Sequence, residues 1–356
     1  MVKNNEGYKN RRGEMQLNEK AMQIAKERWN NLAIPLDSLG KMQQNAIKLA
    51  GIYETDDFIL DKYAVVVMCG DNGIVEEGVT QTGQVVTKIV AENMTTNKAT
   101  IGIMSEQIGA DVFVVDVGIA TEYDNQKIIN KNVMKGTNNF AKTPAMTKQQ
   151  VQQAMDVGID MVRELKNKGY KMIATGEMGI GNTTTSSAIT ACILNKDAAV
   201  VTGYGAGLTS DALKLKIDLI NTAIEYHKVD KNDMMDILSK VGGLDIAAMV
   251  GMYLGGAKYR IPIIIDGFIS GVAALVAIKM DSRVRDFMFA SHMSMEPAAK
   301  MILEEIDLPA MLHLDMRLGE GTGAVMSLNI FTIANTIYRN MSDFDDAKVE
   351  KYVRLK

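Results

Sequence analysis

The run Tyr63-Ala-Val-Val-Val-Met-Cys69 constrains the fold more than any other stretch of this sequence. It is apolar throughout, with three successive valines at its centre. A strand with one wet face alternates apolar and polar residues. A strand with no polar position needs cover on both faces, as a parallel strand has when helices lie on either side of its sheet. The run stops at Gly70-Asp71-Asn72-Gly73, a loop at its C-terminal end. In open α/β sheets, ligands bind along that edge.

Further strand-like segments occur at residues 111–117, 171–174, 198–202, 262–266 and 286–290. Helical spacing marks residues 17–33, 41–52, 84–108, 148–168, 183–194, 210–227, 230–241, 245–258, 270–280 and 325–340. Thr147 with Gln150 spells a capping box, and Ser210 reads as the cap of the helix that follows it. Strands and helices alternating with short connections predict an α/β fold, a Rossmann-like doubly wound sheet of mainly parallel strands. Two helices precede the first strand, where no βαβ unit can use them. They and the last helix are expected to form a small helical domain from both termini, residues 1–60 plus about 305–356. The α/β domain then covers about 61–304, with the active site between the two. Residues 1 to about 15 are polar and expected to be poorly ordered.

Composition matters chiefly for what it excludes. The formal net charge is −4, with no basic patch or charge run, so neither nucleic acid nor an anionic membrane is expected as a partner. No apolar run reaches the roughly 18 residues that span a bilayer. Arg11-Arg12 is followed by polar residues, not by the apolar stretch of an export signal. The two cysteines, Cys69 and Cys192, sit in apolar or small-residue runs and read as buried thiols, which suits a reducing cytoplasm. His227, His292 and His313 have no metal-ligand spacing, so no metal is expected. The 26 methionines scatter through helical patterns as core filler.

Three segments can carry chemistry. Glu320 stands between Gly319 and Gly321, after the apolar Leu314, Met316 and Leu318. A carboxylate against an apolar wall has its charged form disfavoured, which moves its pKa toward that of a useful base. It also fits an ordinary helix-start glutamate. Residues 176–185, Gly-Glu-Met-Gly-Ile-Gly-Asn-Thr-Thr-Thr, turn from a strand into a helix start, where amide groups and the helix dipole can hold an anion. The alternative there is a tight structural turn. No Walker sequence is present, and residues 203–207, Gly-Tyr-Gly-Ala-Gly, miss the dinucleotide pattern, which argues against a nicotinamide-dependent dehydrogenase. Lys216 can be a solvated helix lysine or a phosphate ligand. Asp71 and Asp266 stand at strand ends, where aspartate serves either a site or a turn.

Taken together, several segments resemble the nicotinate-nucleotide–dimethylbenzimidazole phosphoribosyltransferase family, which activates the lower ligand of cobamides. They are Ser38-Leu39-Gly40, GDNGIVEEGV (70–79), GEMGIGNTT (176–184), GGLDIAAMVG (242–251), IPIIIDGFIS (261–270), SHMSMEP (291–297) and RLGEGTGA (317–324). They cover nearly the whole chain, and the second glycine-rich motif and the last one are long and specific. The resemblance implies transfer of ribose 5-phosphate from nicotinate mononucleotide to a benzimidazole, without cofactor, by a homodimer. By the same resemblance Glu320 is the base. Glu177, Gly179, Ile180 and Gly181 form the nucleotide loop, and Lys216 contacts phosphate. Asp266 and Ser294 line the nucleotide site, while Thr82, Gly83, Gln84 and Leu318 adjoin the acceptor. The chain departs from the family pattern at Asn72, where histidine is usual, and at Thr82-Gly83, where Tyr-Pro is usual. These departures put acceptor identity in question. Relatives that activate phenolic acceptors are one alternative, and a non-catalytic nucleotide-binding homologue is another.

Overall fold

The computed structural model describes residues 15–205, 207 and 209–352. The expectation of disorder over residues 1 to about 15 lies outside them, Met15 excepted. Six parallel strands form one sheet: β1 (Tyr63–Gly70), β2 (Ala110–Gly118), β3 (Ile129–Asn130), β4 (Met172–Met178), β5 (Ile263–Ile265) and β6 (Met288–Ala290). Their order is β3-β2-β1-β4-β5-β6, that of the doubly wound Rossmann sheet. The chain builds outward from β1 through β2 to β3, then returns to β1 and builds the other way through β4. The switch point therefore lies between β1 and β4, where such sheets open a crevice at their C-terminal ends. All eight residues of β1 are buried, as its unbroken apolar run requires.

The helices are α1 (Glu19–Asn31), α2 (Lys41–Tyr53), α3 (Val85–Met94), α4 (Thr100–Ile108), α5 (Lys148–Asn167), α6 (Asn182–Leu194), α7 (Ala198–Val201), α8 (Ser210–Tyr226), α9 (Met234–Val241), α10 (Leu244–Tyr259), α11 (Phe268–Met280), α12 (Ala299–Glu305), α13 (Thr322–Asn340) and α14 (Phe344–Ala347). Among the described residues no helix is long and apolar enough to cross a membrane. Both arms of the Thr147–Gln150 capping box are present at the start of α5.

Three expectations are corrected. Residues 84–108 are two helices, because Thr95 and Thr96 turn the chain and Asn97 takes a left-handed backbone, φ 54°. Residues 198–201 form a helical turn, not a strand: the Asp197 carboxylate accepts the Ala199 N–H at 2.8 Å and nucleates it. Thr209, not Ser210, caps α8 by accepting the Ala212 N–H.

The two ends of the chain meet. Arg28 of α1 donates to the Tyr338 carbonyl at 2.8 Å, Trp29 packs on the Tyr338 ring, and the Ala33 N–H reaches the Ser342 carbonyl. Asn335 of α13 fastens the segment before β1 by accepting from the Leu60 N–H and donating to the Phe58 carbonyl. These contacts lock α13 beside the sheet, and so place the loop before it.

Candidate active site

The C-terminal edge of the sheet opens into a cavity of about 880 Å³. Its wall is built from the β4–α6 turn, the loop after α7, the β5–α11 turn, residues 292–296 and residues 317–320. A second groove, about 600 Å³ between α1 and α2, shares none of these residues.

Glu320 is held in an uncommon backbone. Gly319, Glu320 and Gly321 all have positive φ, at 83°, 62° and 91°. A non-glycine residue in this region carries local strain that the surroundings must impose. Asp266, at the end of β5, imposes it. Its Oδ1 accepts the N–H groups of Gly323 and Ala324 at 2.7 and 3.0 Å, and its Oδ2 accepts that of Gly321 at 3.2 Å. Helix α13 has no cap of its own side chains. A carboxylate from a distant strand performs that task, satisfying donors that a helix start otherwise leaves open. The glycine at Gly176 of β4 lets the loop come down onto the sheet, since a β-carbon there would lie 2.6 Å from the Glu320 carbonyl oxygen. The result is a Glu320 side chain whose Oε2 is buried with no hydrogen-bond partner. Burial raises its pKa, and the Asp266 charge raises it further.

Glu177 lies against this loop: a β-carbon at Gly319 would stand 2.5 Å from its Oε1. The Asn182 amide, first residue of α6, donates to Glu177 Oε2 and to Asp245 Oδ2 (3.0 Å to the latter), bridging two buried carboxyl groups. Burial lifts Glu177 to about 8, with Asp245 adding to the shift. Burial likewise lifts Asp245 to about 7. At neutral pH Glu177 is therefore mostly a neutral acid, and Glu320 is spared a second full charge beside it.

Lys216 of α8 is only 1% exposed, which settles it as a buried lysine, not a solvated one. Its ammonium donates to Thr183 Oγ1 at 3.0 Å and to the Gly203 carbonyl at 3.4 Å. Burial lowers its pKa to about 8. Thr183 borders the cavity in the first turn of α6, so a buried cation stands directly behind a helix N-terminus at the wall, an arrangement suited to a phosphate.

A family model described as Phosphoribosyltransferase matches residues 15–349. The chain is 44% identical over 337 residues to the nicotinate-nucleotide–dimethylbenzimidazole phosphoribosyltransferase of Acetivibrio thermocellus, covering 95% of this chain and 96% of that one. It is 41% identical over 336 residues to the protein of the same name from Dehalococcoides mccartyi, covering 94% and 96%. A crystal structure of the Thermus thermophilus protein of that name matches with a TM-score of 0.88 at 32% identity, over 94% of this chain and 100% of that chain. The chain belongs to this phosphoribosyltransferase family.

Within this phosphoribosyltransferase, Glu177, Gly179, Ile180, Asp266, Ser294, Leu318 and Glu320 all border the cavity. Gly181, φ 94°, starts α6 just behind it. Lys216 does not itself border the cavity, but it donates to Thr183, which does. Asp266 borders the cavity while both its oxygens are committed to the start of α13. Thr82, Gly83 and Gln84 are not part of this wall. Thr82 and Gly83 are exposed, and Gln84 donates to the Asn72 carbonyl at 3.2 Å. Asp71 is fully buried, tied to Thr87 and the Ala120 N–H, and Asn72 accepts from Thr185. Both fasten loops. His292 borders the cavity with its Nδ1 3.0 Å from Ser291 Oγ. Sequence reasoning passes over Asn182 and Asp245; Asn182 lies five residues after Glu177 but ties it to Asp245 across 63 residues of chain. It also passes over Glu296 and Arg317, which stand inside the quoted motifs and whose side chains border the cavity.

Proposed function

We propose that this chain moves ribose 5-phosphate from nicotinate mononucleotide to 5,6-dimethylbenzimidazole or a related base, with inversion at C1′, releasing nicotinate. The observation that carries the reading is the half-buried Glu320 carboxylate, whose Oε2 is buried without a hydrogen-bond partner, held in strained backbone at the cavity wall. Nicotinate leaves from a pyridinium, so its departure cancels a positive charge and needs no general acid. The acceptor is different. As one ring nitrogen bonds to C1′, the proton on the other must leave or the product ring stays cationic. Glu320 takes that proton. One free carboxylate therefore suffices, where glycoside hydrolysis with its alkoxide leaving group wants two. The transition state resembles an oxocarbenium ion, and most of the rate comes from holding two flat rings on opposite faces of C1′, worth up to roughly 7–11 kcal/mol in good cases.

The donor phosphate sits at Lys216 and the residue 176–181 turn, and the acceptor stacks near Leu318. Lys216→Ala should raise the donor KM more than about tenfold, the scale of one lost charge-assisted contact. Unchanged donor binding by calorimetry would remove Lys216 from the phosphate site. Lys216 is cationic below a pKa of about 8 and neutral above it. Donor kcat/KM should therefore fall as pH rises through about 8, and that limb should vanish in Lys216→Ala.

We further read the protein as a cytoplasmic homodimer in which the terminal helices form a small domain beside the α/β domain. The test of function is a product assay with nicotinate mononucleotide against a panel of benzimidazoles, purines and phenols. It also decides whether a phenolic acceptor is preferred. Failure to release nicotinate with any of them would leave a nucleotide-binding homologue.

A further inference from the structure

The polar side chains of the cavity are nearly all committed. Asp266 holds the start of α13, Glu177 is bridged by Asn182, and Thr183 accepts from Lys216 behind the wall. Besides Glu320, one carboxylate is left over. Glu296 borders the cavity half-buried, and its carboxylate has neither a hydrogen bond nor an ion pair among the described residues. Burial raises its pKa, while Lys216 and Arg317 pull it back toward the ionised form.

The place of Glu296 is built. Residue 203 is glycine, and any β-carbon there would overlap Glu296 Oε2, so the loop after α7 leaves room for this carboxylate. The Glu296 N–H donates to Ser294 Oγ, and Pro297 follows. The Met293 and Met295 N–H groups donate to the Leu312 and Met316 carbonyls at 2.9 and 3.1 Å. The segment carrying Glu296 is thereby stitched to the loop carrying Glu320.

We infer that Glu296 is a specificity-determining residue that accepts hydrogen bonds from the ribose hydroxyls of the donor, an inference that rests on the phosphoribosyl-transfer reading above. A carboxylate is an acceptor only, with two oxygens, which matches the vicinal 2′- and 3′-hydroxyl donors of a ribose. A second anion such as the donor phosphate has no use for it. Its neighbour Lys216 is the cation assigned to that phosphate, and the hydroxyl edge of a sugar held there by its 5′-phosphate comes within reach of the next side chain along the wall. Sharing one rigid segment with Glu320 fixes the ribose relative to the base that serves its C1′.

The test compares kcat/KM for nicotinate mononucleotide and its 2′-deoxy and 3′-deoxy counterparts in wild type, Glu296→Ala and Glu296→Gln. Wild type should prefer the ribo donor over at least one deoxy donor by roughly 10–100-fold, the worth of a hydrogen bond to a charged group. In Glu296→Ala that ratio should collapse toward one, because the rate on the deoxy donor hardly changes. Glu296→Gln keeps the size and one acceptor oxygen, and should show an intermediate ratio with an unchanged melting temperature. A variant that loses the same factor on all three donors, or a wild type that uses all three equally, overturns the assignment while leaving the transferase reading intact. A wild type that releases no nicotinate from the ribo donor overturns both.

Discussion

Replacing Glu320 by glutamine should lower kcat roughly 10²–10⁴-fold, the usual worth of a general base, while donor binding survives. Glutamine keeps the shape and can still hydrogen-bond, but it cannot take the acceptor's proton. Glu296 is the one other uncommitted carboxylate in the cavity wall, and it is assigned above to the ribose hydroxyls. Glu177 is held mostly protonated by burial at a pKa of about 8, Asp266 is bound to three amide groups, and His292 packs into the start of α13 beside Gly323. The pH profile carries the same argument with a definite sign. A base must be ionised, and burial raises the Glu320 pKa. Wild-type kcat should therefore fall as pH drops through that raised value, with one apparent ionisation, and Glu320→Gln should lack this limb. A phenolic acceptor also has a proton to lose, so the same deficit is expected with phenols. Near-normal kcat in Glu320→Gln would hand the proton to water or another residue.

Asp266→Ala should be nearly as damaging by another route. It removes the acceptor for the Gly321, Gly323 and Ala324 N–H groups at once, leaving buried donors at the start of α13. Loss of a cap and of hydrogen bonds to a charged group should cost about 2–4 kcal/mol of stability in a urea titration. The left-handed backbone at Glu320 then loses what holds it. A displacement of the base by about 1 Å is enough for a loss of about 10²-fold in kcat. Asp266→Asn keeps one acceptor oxygen for Gly323 and Ala324 but turns an amide donor toward the Gly321 N–H. It should fall between wild type and alanine in both measurements. An Asp266→Ala enzyme with normal stability and normal kcat would show that the loop holds its shape unaided.

How far the sequence can be read depends on how local each signal is. The buried strand β1 announces itself in consecutive residues, and the capping box of α5 in four. The glycines around Glu320 mark a special backbone because glycine tolerates positive φ. Residues 198–201 suit a strand as well as a helix because four apolar residues fit either period, and the deciding signal is the capping Asp197 before them. The break between α3 and α4 rests on one left-handed asparagine. Lys216 looks like any helix lysine, since only the tertiary fold shows that its face of α8 is buried. Asp266 presents as a site aspartate at a strand end, and no local pattern reveals that its oxygens cap a helix 55–58 residues further on. The Asn182 bridge between Glu177 and Asp245 is invisible for the same reason.

The most direct test of the account is a product analysis of the wild-type protein with nicotinate mononucleotide and 5,6-dimethylbenzimidazole, following nicotinate release and the anomeric proton of the sugar together by NMR. The account predicts one nicotinate released per ribosylated base, and an α-linked product from the β-linked donor. Nicotinate released alongside free ribose 5-phosphate, a β-linked product, or no turnover at all would contradict it.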